Sequence, residues 1–290
     1  MTAEVVTLAT LRDWPVPAPG EGKEERGRIL VVGGSRSTPG AVRLAGEAAL
    51  RSGAGKLRIA TVAPVTTSLG LLLPECGTVP LLETADGHVD PAATQTLVEE
   101  CEQVDAVLLG PGLTGKDEVV RLVGGLLAEI HTPAVVDALA SAYLTDEPDG
   151  ARRLDGRCVL TVNTVELAKT AGCAEEEVER EPVAVAGRVA ARSDVVVLHG
   201  AATKHVVTPD GRAWVVTGGG PGLGVSGSGD VQAGFVAGLL ARGAEPAQAA
   251  VWGAFLHAQA GERLSGRIGQ VGFLASELAG EVPALLDLVR

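Results

Sequence analysis

The chain has 290 residues and a formal net charge of −12. With no cluster of Lys and Arg to replace condensed counterions, it is not a nucleic-acid binder of the basic-patch kind, and the acidity argues against docking on anionic membranes. Hydrophobic residues make up 46% but aromatic residues only 2%, so the core must be built from Ala, Val and Leu, which lets helices lie close to a sheet and suits a layered α/β fold.

The N-terminal segment MTAEVVTLATLRDW lacks a basic region followed by an apolar run, so no signal peptide is expected. Residues 1–27 are polar and Pro-rich (WPVPAPGEGKEER) and predict an N-terminal arm outside the core, ahead of one α/β domain over 28–290. From residue 28 a rhythm sets in of short β-branched runs, Gly or Pro breaks and longer helical stretches. Strands are predicted at 28–32, 57–62, 105–109, 134–137, 158–161 and 195–198, apolar on both faces as in a covered parallel sheet. Helices fall at 40–52, 116–129, 164–171 and 182–192, and the alternation implies a doubly wound, mostly parallel sheet with helices on both faces. Beyond residue 200, segments 204–208 and 213–216 flank Pro209-Asp210-Gly211 and predict a hairpin. A Gly-rich loop at 218–230 then leads into helices at about 230–242 and 246–264. Cys76, Cys101, Cys158 and Cys173 form no CxxC pair, so no zinc site is suggested, and a reduced cytoplasm is expected with the thiols buried as small hydrophobes.

Four segments could carry chemistry. Gly227-Ser228-Gly229-Asp230 opens a helix: its glycines admit a ligand, the first N–H groups of the helix are free for phosphate, and Asp230 could accept a proton from a substrate hydroxyl. The same four residues could also be a loop with a capping Asp. Gly110-Pro111-Gly112-Leu113-Thr114-Gly115 is a formal GxGxxG with Asp137 at about dinucleotide spacing, although Pro111 occupies the turn that should meet pyrophosphate. Gly33-Gly34-Ser35 and Pro39-Gly40-Ala41 join the first predicted strand to a helix at the carboxyl edge of the sheet. Asn163 and Glu166, three apart at a strand-to-helix junction, could hold Mg²⁺ or form a helix cap. The histidines at 88, 131, 199, 205 and 257 show no ligand spacing and are expected to be solvated or core residues.

In order, the segments VVGGSRSTPGAVRLAGEAALRSGAGKLRIAT, LLLPECGT, LLGPGL, VVDA, VLT, LHGAATKHVVTPDGRAWV and PGLGVSGSGDVQAGFVAGLLARG resemble the ADP/ATP-dependent NAD(P)H-hydrate dehydratases of the ribokinase-like superfamily, from about residue 23 to the C-terminus. The resemblance implies a single-domain ribokinase-like fold. It also implies ATP- or ADP-driven dehydration of hydrated NADH or NADPH, with Mg²⁺: the ring hydroxyl is phosphorylated, phosphate leaves and the coenzyme is restored. By position, Ala41, Gly112, Asn163 and Asp230 would touch the hydrated coenzyme. His199, Gly200, Ala201, Ala202 and Thr203, with Gly227, Ser228 and Gly229, would touch the nucleotide. A homo-oligomer, with a tetramer as one form, goes with the family. This chain departs from the usual pattern at Asn163 (usually His), Leu139 (usually Asp) and His199 (usually Lys). Asn163-x-x-Glu166 also resembles the NxxE element of ribokinase-like sugar and vitamin kinases, which helps place Mg²⁺. A kinase of a small hydroxylated metabolite and a non-catalytic nucleotide binder therefore stand as alternatives.

Overall fold

A computed structural model describes residues 3–200 and 202–289. The chain opens with β1 (Glu4–Val5) and α1 (Leu8–Asp13), then runs through β2 (Arg28–Val32), α2 (Gly40–Arg51), β3 (Lys56–Val62), α3 (Thr66–Leu72) and β4 (Cys76–Leu81). It continues with α4 (Thr94–Cys101), β5 (Ala106–Leu109), α5 (Lys116–Glu129), β6 (Ala134–Asp137), α6 (Ala142–Asp146), β7 (Cys158–Val162), α7 (Thr164–Ala171), α8 (Glu175–Arg180) and α9 (Pro182–Ser193). The hairpin follows β8 (Val196–His199) as β9 (Lys204–Val207) and β10 (Ala213–Val216), and α10 (Ser228–Ala241), α11 (Pro246–Arg267) and α12 (Ala275–Val289) close the chain.

The strands form one ten-stranded sheet in the order β1-β10-β9-β8-β7-β6-β5-β2-β3-β4. Strands β2 to β8 pair in parallel, β9 is antiparallel to β8 and β10, and β1 is parallel to β10. The chain winds outward from β2 in both directions, so the strand order reverses between β2 and β5. Two apolar layers cover the sheet. One holds α2, α10, α11 and α12, and the other holds α4, α5, α7 and α9. Every residue of β5, β6 and β7 is buried, which is why these strands read as unbroken apolar runs.

The predicted strands, the hairpin and six helices all form, with ends shifted by three residues at most. The N-terminal segment differs from its expected place outside the core. Glu4 and Val5 pair with Trp214 and Val215, Val6 and Leu11 are buried, and Trp14 stacks on Trp214 at 5.5 Å. These contacts cover β10, whose outer edge would otherwise expose unpaired backbone groups. A two-residue strand and a six-residue helix are too short to show periodicity. β4 is the opposite edge of the sheet; it alternates in exposure and contains Pro80, and a proline in a strand is tolerated at an edge.

The central packing event is α10 against α2. Every residue of α10 from Val231 to Ala241 is buried. A Cβ on Gly234 would stand 2.3 Å from the Ala45 carbonyl oxygen, and one on Gly238 2.4 Å from that of Ala49. Glycine at both positions lets the two backbones touch. Gly234→Ala should therefore destabilise the fold by about 1–3 kcal/mol despite the better helix propensity of Ala, because the obstructing atom is backbone and cannot swing away. Gly280→Ala, on an exposed turn of α12 with open space around the new methyl, should instead stabilise by roughly 0.5–1 kcal/mol. Urea unfolding of both variants checks the contrast.

Candidate active site

The carboxyl ends of β6, β7 and β8 and the first turn of α10 open on a cleft of about 660 Å³. Its roof is the loop from Gly218 to Gly227. Gly218, Gly219, Gly220 and Gly227 have φ of 107°, 99°, 64° and 88°, values that L side chains rarely adopt. The Gly219 N–H donates to Glu262 Oε1 at 2.8 Å, which ties the loop to α11. Gly227 caps α10 without any side chain, and among the described residues the N–H groups of Gly229 and Asp230 have no hydrogen-bond partner. These orphan donors, with the positive end of the helix dipole behind them, form an anion cradle. Ser228 Oγ lies 2.9 Å from His257 Nε2, so the first residue of the helix is fixed from α11.

Three carboxylates stand at one end of the cleft. Asp230 is pushed up to about 6, first by burial and then by the charge of Glu166. Asp137, at the end of β6 and 7% exposed, is raised well above the carboxylate range by burial, with Asp230 and Glu166 adding to the effect. Thr161 Oγ1 donates to its Oδ1 at 2.6 Å. Glu166 is also raised by burial. Among the described residues none of the three has an ion-pair partner, and none belongs to a group of three or more His, Cys, Asp or Glu side chains that could hold a metal.

Asn163 and Glu166 form a reciprocal helix cap. Asn163 Oδ1 accepts the Glu166 N–H at 2.9 Å and Glu166 Oε2 accepts the Asn163 N–H at 3.0 Å. The Asn163 oxygen expected to reach Mg²⁺ is thus engaged in the cap, while Glu166 still lines the cleft.

The cleft is also lined by Lys204, Gln232 and His257, three residues that sequence reasoning did not select. Lys204 is 2% exposed, and burial lowers it to about 8. His257 is driven down to about 3 by burial and by the nearby Lys204 charge, so it is neutral. His199 does not line this cleft. Its ring turns to the other face of the sheet, where Nε2 lies 3.2 Å from Thr164 Oγ1 and the ring stacks on His205 at 5.8 Å. Burial, then His205, lowers it to about 4. Gly200 and Ala202 line the cleft, Thr203 is half-buried outside its lining, and Ala201 lies outside the described residues.

Ala41 and Gly112 are brought together: a Cβ on Gly112 would lie 2.8 Å from that of Ala41. They sit beside a second hollow of about 650 Å³, lined by Pro39, Gly40 and Leu44 and sharing Val225 with the first. The Gly110–Gly115 turn does not form a pyrophosphate site. Gly34 N–H donates to the Pro111 carbonyl at 2.7 Å, and a Cβ on Gly110 would meet the Asp137 carbonyl at 1.9 Å. Its glycines serve close packing between strand ends.

A family model described as NAD(P)H-hydrate dehydratase matches residues 29–284. The chain is 44% identical over 284 residues to the ADP-dependent (S)-NAD(P)H-hydrate dehydratase of Xanthomonas campestris, covering 97% of this chain and 96% of that one. It is 35% identical to the bifunctional NAD(P)H-hydrate repair enzyme Nnr of Moorella thermoacetica, over 90% of this chain and 49% of the relative. The chain therefore spans about half the length of that bifunctional relative. Among solved structures, a ribokinase-like superfamily protein from Enterococcus faecalis matches with a TM-score of 0.84 at 23% identity, covering 99% and 96% of the two chains. An ADP/ATP-dependent NAD(P)H-hydrate dehydratase from Bacillus subtilis, co-crystallized with ATP/Mg²⁺, matches with a TM-score of 0.82 at 24% identity over 100% of both chains. At these identities the structural likeness establishes the ribokinase-like fold.

The partly buried carboxylate at residue 230 has a consequence for stability. Its folded pKa of about 6 lies above its ordinary 3.8, so between these values the folded state holds a proton that the unfolded state has lost. Stability from this group therefore falls as pH rises through that window. Asp230→Asn should be more stable than the wild type at pH 7.5, by up to about 3 kcal/mol, and the advantage should vanish on acidification below about pH 4. Urea unfolding of the pair across this range measures it.

Proposed function

The chain belongs to the NAD(P)H-hydrate dehydratase family, and from that premise we propose that it catalyses the ADP- or ATP-dependent dehydration of hydrated NADH or NADPH in the cleft at the start of α10. The observation that carries the reading is the union, on one helical turn, of a phosphate cradle and a base. The free N–H groups of Gly229 and Asp230 would receive the phosphoryl group to be transferred, and the Asp230 carboxylate, near pKa 6, would accept the proton of the ring hydroxyl. The hydroxyl oxygen then bonds to phosphorus as the bond to the nucleotide's leaving phosphate breaks. The ring nitrogen lone pair expels the new phosphate with cleavage of its carbon–oxygen bond, and the iminium so formed loses a proton from the adjacent ring carbon, which restores the dihydronicotinamide. Phosphate is a better leaving group than hydroxide, which is the reason for the intermediate ester.

The second hollow, beside Ala41 and Gly112, would take the rest of the coenzyme, since it meets the first at Val225. Mg²⁺ would be held by Glu166, by water and by phosphate oxygens, and would neutralise charge on the nucleotide. No ready-made cage is needed for an ion that keeps most of its water. Homo-oligomerisation belongs to the same proposal. Leu71, Leu72, Val271 and Leu274 are 81%, 61%, 68% and 61% exposed, and Leu72 and Leu274 both border the second hollow. No helix among the described residues is long and apolar enough to cross a membrane. A cytoplasmic location fits the proposed substrate, because reduced coenzyme and ATP are held there.

Purified protein with Mg²⁺ and ADP or ATP should restore the near-ultraviolet absorbance of reduced nicotinamide from hydrated NADH or NADPH, with phosphate released in equal amount. Nucleotide consumption with a stable phosphorylated product and no absorbance recovery would instead mark a kinase.

Two variants separate binding from chemistry. Asp230→Asn should lower kcat by roughly 100-fold or more with little change in nucleotide affinity. In the wild type, kcat/KM should fall as pH drops through about 6, where Asp230 takes up a proton. Gly229→Val should fold normally, because a Cβ there meets nothing within 4 Å, yet lose nucleotide binding as the side chain fills the cradle. Calorimetric titration with ADP and ATP decides the second case, and unchanged affinity would move the phosphate site elsewhere.

A further inference from the structure

The cleft is lined by acids and by one lysine. Glu166 acts on Asp230, and both act on Asp137, whereas Lys204 does not figure among the charges acting on any of the three. Lys204 acts instead on His257, which lines the same cleft. It stands on β9, in the sheet interior, where Val206 and Val207 of the same strand are fully buried. The residue is 2% exposed, and its side chain, which lines the cleft, has no hydrogen bond and no ion pair among the described residues. An ammonium buried in this way without a counter-charge is costly to the fold. No carboxylate is positioned to relieve it, and His257 beside it is uncharged.

A second donor nearby also lacks a partner. Gln232, 7% exposed and one turn along α10, lines the same cleft with its side-chain Nε2 buried and without an acceptor. Buried polar groups are nearly always paired, and these two join the orphan N–H groups of Gly229 and Asp230. Four donors around one hollow, with no protein acceptor for any of them, call for a ligand that brings several anionic oxygens. Charge-assisted bonds from an ammonium to phosphate are stronger than those from neutral donors. His199, the other basic residue at this strand end, faces the opposite side of the sheet and is neutral.

We propose that Lys204, assisted by Gln232, binds the phosphate chain of the nucleotide and makes the site selective for nucleoside di- and triphosphates over the nucleoside. This rests on the reading of the cleft as a nucleotide site. Binding of the phosphate chain at Lys204 orients the nucleotide with its terminal phosphorus toward the α10 cradle and Asp230. The adenosine moiety then owes nothing to Lys204.

Calorimetric titration of wild type, Lys204→Met and Lys204→Gln with ADP and with adenosine tests this, with melting curves to confirm folding. Both variants should bind ADP roughly 10–100-fold more weakly than the wild type and bind adenosine as the wild type does. Gln232→Leu should show a smaller loss of the same kind. A second measurement needs no variant: ADP, but not adenosine, should protect Lys204 of the wild type from an amine-reactive reagent, read by peptide mass spectrometry. Undiminished ADP affinity in the folded variants, equal losses for ADP and adenosine, or Lys204 modification indifferent to ADP would each overturn the assignment while leaving the nucleotide site standing. Failure of the wild type to bind ADP at all would overturn the reading of the cleft itself.

Discussion

The contact between α10 and α2 sets everything downstream of it. Gly234 and Gly238 remove the side chains that would hold the two backbones apart, and Ala45, Ala48 and Ala49 answer them with the smallest chiral side chain. A helix buried along its length has no freedom to slide without overpacking. Its first turn is thereby fixed against the carboxyl edge of the sheet, and Gly227, Ser228, Gly229 and Asp230 arrive at a set position. The Gly-rich loop that precedes α10 has the backbone conformations only glycine adopts easily, so it can fold over that turn and close the cleft.

Around this fixed turn the chain divides charge by sign. The acids Asp137, Glu166 and Asp230 come from β6, α7 and α10, each at the end of an element that points at the cleft. Lys204 comes from the antiparallel hairpin and lines the same cleft. Among the described residues none of the acids forms an ion pair with Lys204, which leaves charges of both signs open to a ligand. Burial raises the acids and lowers the lysine. A carboxylate near pKa 6 is a stronger base than an ordinary one and is still largely ionised at neutral pH.

The departures from the family pattern acquire a physical setting. Asn163 serves the N-terminus of α7, for which Asn is among the best residues. His199 packs on His205 in the layer beneath α7 and carries no charge. Leu139 is partly buried against the apolar layer of α5 and α7. None of the three lies on the first turn of α10, so Gly229 and Asp230 keep their setting while the residues around them differ from the family pattern.

Much of this was open to the sequence, because it depends on local rules. Apolar runs bounded by Gly and Pro mark parallel strands, Pro209-Asp210-Gly211 marks the hairpin, and glycines before an Asp at a helix start mark the anion cradle. These signals arise within a few residues and survive in any environment. The short β1, the Pro-bearing edge strand β4 and the helices α1, α3, α4, α6, α8 and α12 were not foreseen; two residues have no period, an edge strand is only half buried, and α1, α3, α4, α6 and α8 span eight residues at most. Beyond α10, Asn163, Glu166, Gly200 and Ala202 were picked out in the sequence and do line the cleft, but Lys204, Gln232 and His257 were hidden and Asp137 was noted only for its spacing from the Gly110–Gly115 turn. Asp137 is one of many strand-end acids until β7 places Thr161 beside it, and Lys204 and His205 are neighbours in sequence that pleating sends to opposite faces. Which face meets the cleft is decided by strand pairing and by the helices laid across it. Only the tertiary structure could show Lys204 inside and His199 outside.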